Sequence, residues 1–80
     1  MAELLTFNDL KKRTGSVVYE EWLYGTGTRP YQIISNVTDN VILLECPEDN
    51  ERHCARRASR EYRYWTEQPT DDQRELTEWH

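Results

Sequence analysis

Apolar and polar positions change period several times along the chain, and each change marks an element. Thr6 followed by Asp9 makes a capping-box pattern, and Leu5 and Leu10 occupy the two positions of a hydrophobic staple, so a helix is predicted to begin at Phe7. Lys11, Lys12 and Arg13 suit the negative end of its dipole, and Gly15 supplies the stop. From Val17 to Tyr24 most residues are β-branched or aromatic, which predicts a strand. Its alternation puts Val18, Glu20, Trp22 and Tyr24 on one face and Val17, Tyr19, Glu21 and Leu23 on the other. Gly25, Gly27 and Pro30 make the segment from Gly25 to Pro30 a loop, after which Tyr31 to Val37 and Val41 to Cys46 read as two strands joined by Thr38, Asp39 and Asn40.

Pro47 to Asn50 is polar and turn-forming. The alanines and arginines from Arg52 to Arg60 suit a helix, but their position between strands suits an irregular edge strand, and the strand reading is adopted. Tyr62 to Trp65 forms a further strand, with Tyr62 and Tyr64 sharing a face opposite Arg63 and Trp65. Pro69, Thr70 and Gln73 give a second capping-box pattern, predicting a helix from Asp71 to about Leu76 that ends at Trp79. With no internal repeat and no linker, residues 1–80 read as a single domain of the α+β class. The expected architecture is a small antiparallel β-sheet of four or five strands with a short N-terminal helix and a short C-terminal helix.

Composition adds two points. A chain of 80 residues buries only ~60 to 65% of the surface it exposes when unfolded, so its core is thin. Yet it carries three Trp and five Tyr, large amphipathic side chains that suit subunit or ligand contacts as well as a core, and a homo-oligomer is expected. No apolar run approaches the ~20 residues that cross a membrane, and Met1 to Leu5 has no secretory pattern, so a cytoplasmic location without membrane contact is expected. Cys46 and Cys54 read as thiols, because Cys46, His53 and Cys54 lack a fourth metal ligand at ordinary spacing and His80 is the last residue of the sequence.

The formal net charge of −5 argues against binding long nucleic acid. The distribution is uneven: arginines 52, 56, 57, 60 and 63 stand against Glu61 alone, whereas Asp71, Asp72, Glu75 and Glu78 stand against Arg74. The two His at positions 53 and 80 support no triad, and Gly25-Thr-Gly lacks the third glycine and following helix of a dinucleotide fingerprint. Glu20 and Glu21 point to opposite faces of a strand, so they are no acid and base pair and read as solvated charges. No catalytic group, metal or cofactor is assigned. The run from Arg56 to Trp65 interleaves Arg56, Arg57, Arg60 and Arg63 with Tyr62, Tyr64 and Trp65, joining phosphate-binding guanidiniums to aromatic faces that stack on bases. The bland alternative is that the arginines pair with nearby acids while the aromatics fill the core.

Phe7-Asn-Asp-Leu10 with Lys11, Lys12, Gly15 and Val17 or Val18, then Trp22 and Gly25, resembles the opening of the second anti-Thoeris sponge family, small phage proteins that sequester an immune signal. Tyr62-Arg-Tyr-Trp65, Pro69-Thr-Asp-Asp72 and Leu76-Thr-Glu-Trp79 are similar to that family's ending; the match covers the two ends of the chain. The resemblance implies an α+β homo-oligomer, acting in the bacterial host cytoplasm, that binds a cyclised ADP-ribose signal without cleaving it in pockets between subunits. By that resemblance Trp22 lies in or beside the pocket, framed by Tyr64 or Trp65 and Trp79; Tyr24 is also a ligand-binding candidate. The sequence departs from the family where Glu20 and Glu21 replace basic residues ahead of the first-strand Trp, so that either the phosphates are met by Arg56, Arg57, Arg60 or Arg63 or the ligand differs. The competing expectation is an acidic phage inhibitor that binds a defence protein directly, although the acids are interspersed with ten Lys and Arg rather than gathered on one face.

Overall fold

The computed structural model describes residues 1–25 and 27–76. Its elements in chain order are β1 (Leu4–Leu5), α1 (Phe7–Lys11), β2 (Val17–Trp22), β3 (Thr28–Thr38), β4 (Val41–Glu45), β5 (Arg52–Arg56), β6 (Tyr62–Trp65) and α2 (Asp71–Leu76). Both capping boxes form. Asp9 N–H donates to Thr6 Oγ1 and Thr6 N–H to Asp9 Oδ2, while Gln73 and Thr70 exchange the same pair of bonds. Gly15, at φ +91°, turns the chain from α1 towards β2 in the left-handed region that glycine enters without a steric penalty.

The strands make one antiparallel sheet in the order β1-β6-β2-β3-β4-β5, mostly β and flanked by two short helices. Six strands exceed the four or five expected because β1 has only two residues, too few to show an alternation. Strand β2 also ends at Trp22, which leaves Tyr24 in the following turn. Pro30, expected in a loop, lies inside β3 opposite Tyr19. The pairing explains its tolerance. Ile33 N–H donates to the Ser16 carbonyl, so alternation turns the Pro30 nitrogen away from β2, and β4 has already ended at Glu45 opposite Gln32. The segment from Arg52 to Arg60 divides: its first five residues are the edge strand β5 and the rest is turn.

Alternation along the strands fills the core, with Val18, Tyr31, Ile33, Ile42, Leu44, Ala55 and Tyr64 on the inner face beside Leu10 of α1. Two β-bulges, between Ile33 and Ser35 and between Asn36 and Thr38, bend the β3–β4 pair. The sheet curls until His53 of the edge strand β5 meets Glu20 of β2 and Tyr62 of β6 across the interior. Helix α1 covers one end of this curl, where Asn36 Nδ2 donates to the Lys11 carbonyl and Arg57 Nη1 to Asn8 Oδ1. At the opposite end β2 finishes and β3 and β6 begin, and there Asp71, Arg74 and Glu75 of α2 share a hollow with Glu21, Trp22, Leu23 and Gly25.

Glu20 and Glu21 do point to opposite faces, but neither is a solvated charge. Glu20 is 9% exposed and Glu21 4%. On the outer face Glu21 Oε1 accepts from Arg63 Nε at 2.6 Å and Trp65 Nε1 at 2.9 Å, and Oε2 from Arg74 Nε at 2.8 Å. The cost of burying a carboxylate is met by three donors, two of them charged. Burial pushes the Glu21 carboxyl upward, but the hydrogen bonds from Arg63, Arg74 and Trp65 outweigh it and hold the group below the usual glutamate range. Arg63 Nη2 also donates to the Arg74 carbonyl, so one cluster fixes α2 to the sheet.

Candidate ligand-binding site

The end of the curled sheet away from α1 gathers aromatic and ionisable side chains from four strands. Trp22 and Tyr62 are cross-strand partners of β2 and β6 and therefore share a face. Tyr62 meets the His53 ring edge-on at 4.9 Å, and His53 lies 6.0 Å from Tyr31 of β3. Trp22 is 46% exposed and makes an edge contact at 6.0 Å with Tyr24, itself 71% exposed. Gly25 makes room for this ring, since a Cβ there would stand 2.5 Å from Trp22 Cε3. Arg29, opposite Glu20 in β3, lies over the Tyr31 ring at 5.8 Å and pairs with Asp49 at 2.7 Å.

Glu20 forms the floor. Its Oε2 accepts from Tyr64 Oη at 2.7 Å and lies 3.1 Å from His53 Nε2, a contact without the alignment of a full hydrogen bond. The Glu20 carboxylate raises the affinity of His53 for its proton, against the opposing effect of burial. Burial and the same carboxylate push the Tyr31, Tyr62 and Tyr64 hydroxyls above their ordinary value, so these groups remain neutral donors at neutral pH. A hydrogen-bonded carboxylate, an imidazole and a phenol thus lie beneath an aromatic rim.

Two hollows adjoin this floor. One, of about 310 Å³, runs along the seam between β5 and β6 and is lined by His53, Arg56, Ser59, Glu61, Tyr62 and Tyr64 among others. The other, of about 330 Å³, lies between Glu20, Trp22, Gly25, Gly27, Thr28 and Arg29.

The residues singled out in the sequence separate into three groups. Trp22, Tyr24 and Tyr62 stand at the open end, Arg56 lines the seam, and Arg56 and Arg60 are exposed guanidiniums with no side-chain partner among the described residues. Arg57 lies at the opposite end, where it binds Asn40, Asn8 and the Asp39 carbonyl and stacks over Phe7 at 4.6 Å. Arg63 and Trp65 belong to the Glu21 cluster of the outer face, and Tyr64 is buried with its hydroxyl on Glu20. Trp79 lies outside the described residues.

No protein-family model, no curated protein and no solved structure matches the chain. Its site is therefore read from its own residues. Sequence reasoning missed Glu20, Arg29, Tyr31 and His53 as neighbours. A signal was present for two of them: Glu20 sits in phase with Val18 on a strand face that turns inward, and His53 in phase with Ala55.

Proposed function

We propose that this protein binds a nucleotide-derived immune signalling molecule, of the cyclic ADP-ribose or cyclic oligonucleotide type, and sequesters it without cleaving it, as a phage protein countering host defence. The observation that carries this reading is the pairing of exposed Trp22 and Tyr24 with Tyr62 at an open end whose adjoining seam is flanked by Arg56 and Arg60, which have no side-chain partner among the described residues. Aromatic faces offer stacking to a base, and guanidiniums offer bidentate hydrogen bonds to phosphate. Exposed Val17, Val37, Trp22 and Tyr24 give copies of the chain apolar surface through which to associate.

Titration calorimetry against cyclic ADP-ribose isomers and cyclic di- and oligonucleotides tests the reading. At least one member is expected to bind tightly and to be recovered unaltered by mass spectrometry. Trp22→Ala removes a stack worth ~1 to 3 kcal/mol, and Arg56→Ala a charged hydrogen bond worth ~1.5 to 3 kcal/mol. Each substitution should weaken binding roughly tenfold to a hundredfold while leaving the fold intact. Absence of any binding below ~1 mM would replace this reading with direct inhibition of a defence protein. Recovery of a cleaved nucleotide would instead assign chemistry to the Glu20–His53 contact.

A further inference from the structure

We infer that Glu20 reads the exocyclic amino group of a nucleobase held at the open end of the sheet. The inference rests on the nucleotide-binding reading and names the part of the ligand that enters first. Glu20 is nine-tenths buried, yet among the described residues one of its two oxygens is hydrogen-bonded. Oε2 accepts from Tyr64 Oη and lies 3.1 Å from His53 Nε2, whereas Oε1 has no hydrogen bond among the described residues. A carboxylate offers about four lone-pair sites, and Oε1, which is not closed off from solvent, is free to accept from a ligand. The companion carboxylate Glu21 has both oxygens filled, so the vacancy is particular to Glu20.

The hollow beside Glu20 tells what fits there. Trp22 follows two positions later on the same face of β2 and shares the hollow, which sets an aromatic plane beside the free acceptor. A ligand held by both must present a flat face for stacking and an N–H donor at its edge. Adenine and cytosine carry such an amino group; hypoxanthine and uracil present a carbonyl in its place, beside a single ring N–H. Arg29 lines the same hollow with its guanidinium paired to Asp49 at 2.7 Å and Glu51 at 3.6 Å. A phosphate is repelled by Glu20 and is directed outward to Arg56 and Arg60. The base therefore points inward and the phosphates outward.

Matched nucleotides differing by this one group provide the test. Cyclic di-AMP is compared with cyclic di-IMP, and ADP-ribose with inosine-diphosphate-ribose, by titration calorimetry on the wild-type protein and on Glu20→Gln. The wild type should prefer the adenine member of a pair by at least about tenfold, because a carbonyl facing a buried carboxylate leaves both acceptors unpaired. Glu20→Gln, whose amide can turn a donor towards the ligand, should abolish or invert that preference while circular dichroism verifies the fold. Equal binding of both members by the wild type overturns the inference and leaves nucleotide binding standing. A preference that survives in folded Glu20→Gln also overturns it. If no nucleotide in either pair or in the wider panel binds, the nucleotide reading itself falls. The comparison on the wild type stays decisive even if the variant does not fold.

Discussion

Arg74, in α2, sets its Nε 2.8 Å from Oε2 of Glu21 in β2, and that charged contact joins the C-terminal helix to the outer face of the sheet. Glu21→Gln removes the charge that Arg63 and Arg74 both face, leaving two cations in a partly closed cluster. Breaking a buried pair from one side costs about 3 to 5 kcal/mol, a large share of the stability of so small a chain. Arg74→Ala removes the charged bond to Glu21 and the longer, exposed one to Asp71 but leaves Glu21 paired with Arg63, and should cost less, about 1.5 to 3 kcal/mol. Urea denaturation measures both; equal midpoints for wild type and Glu21→Gln would show that the cluster contributes nothing to folding.

Stability should depend on pH with two limbs of opposite sign. Glu21 binds its proton less readily in the folded state than its ordinary value of 4.5, so its contribution is present above that value and is lost as pH falls through the lower folded value. His53 binds its proton more readily than its ordinary value of 6.5, so its contribution is complete below 6.5 and is lost as pH rises through the higher folded value. Thermal melting across this range should place the maximum between the two ordinary values. His53→Gln should remove the decline on the neutral side and leave the acid limb in place. A decline that persists unchanged in His53→Gln would assign that limb to another group.

Gly25→Ala should displace the Trp22 ring, because the added methyl would stand 2.5 Å from Cε3. The ring is about half exposed at the end of β2, so it can swing outward at small cost to the fold. Acrylamide should quench tryptophan emission more strongly in the variant, and nucleotide binding should weaken towards the level of Trp22→Ala. Wild-type quenching together with wild-type binding would show that the ring does not depend on Gly25 for its position.

Light scattering at tens of micromolar should give a multiple of the chain mass. Tyr24 is the most exposed large aromatic of the open end, and Tyr24→Asp should lower the measured mass by placing a charge in the contact. A wild-type mass equal to one chain would remove the pockets between subunits that the family resemblance implies.

The elements whose determinants are local were legible in the sequence. Thr6 with Asp9, and Thr70 with Gln73, lie three positions apart and mark their helix starts without help from the rest of the chain. The faces of β2 and β6 also followed from alternation, which is why Tyr62 and Tyr64 separate from Arg63 and Trp65 as expected. What alternation does not encode is the cover over each face. Glu21 looks like a surface charge until Arg63, 42 positions away, and Arg74, 53 positions away, are brought to it. Glu20 and His53 meet only because two bulges in β3 curl the sheet, and a bulge leaves no period of its own. The same limit divided the arginine run: Arg56, Arg57 and Arg63 are close in sequence but belong to the seam, the helix-covered end and the outer face.

The place of β6 between β1 and β2 sets an order on synthesis. Strands β2 to β5 are consecutive neighbours and can pair as the chain emerges, whereas Glu3 N–H must find Thr66 Oγ1, 63 positions later. Until then the inner edge of β2 is open, and the Glu21 carboxylate has none of Trp65, Arg63 or Arg74 to receive it. A chain ending after Arg60 would hold a four-stranded meander with an unpaired edge on β2, the form of this protein most prone to pair with a neighbouring copy.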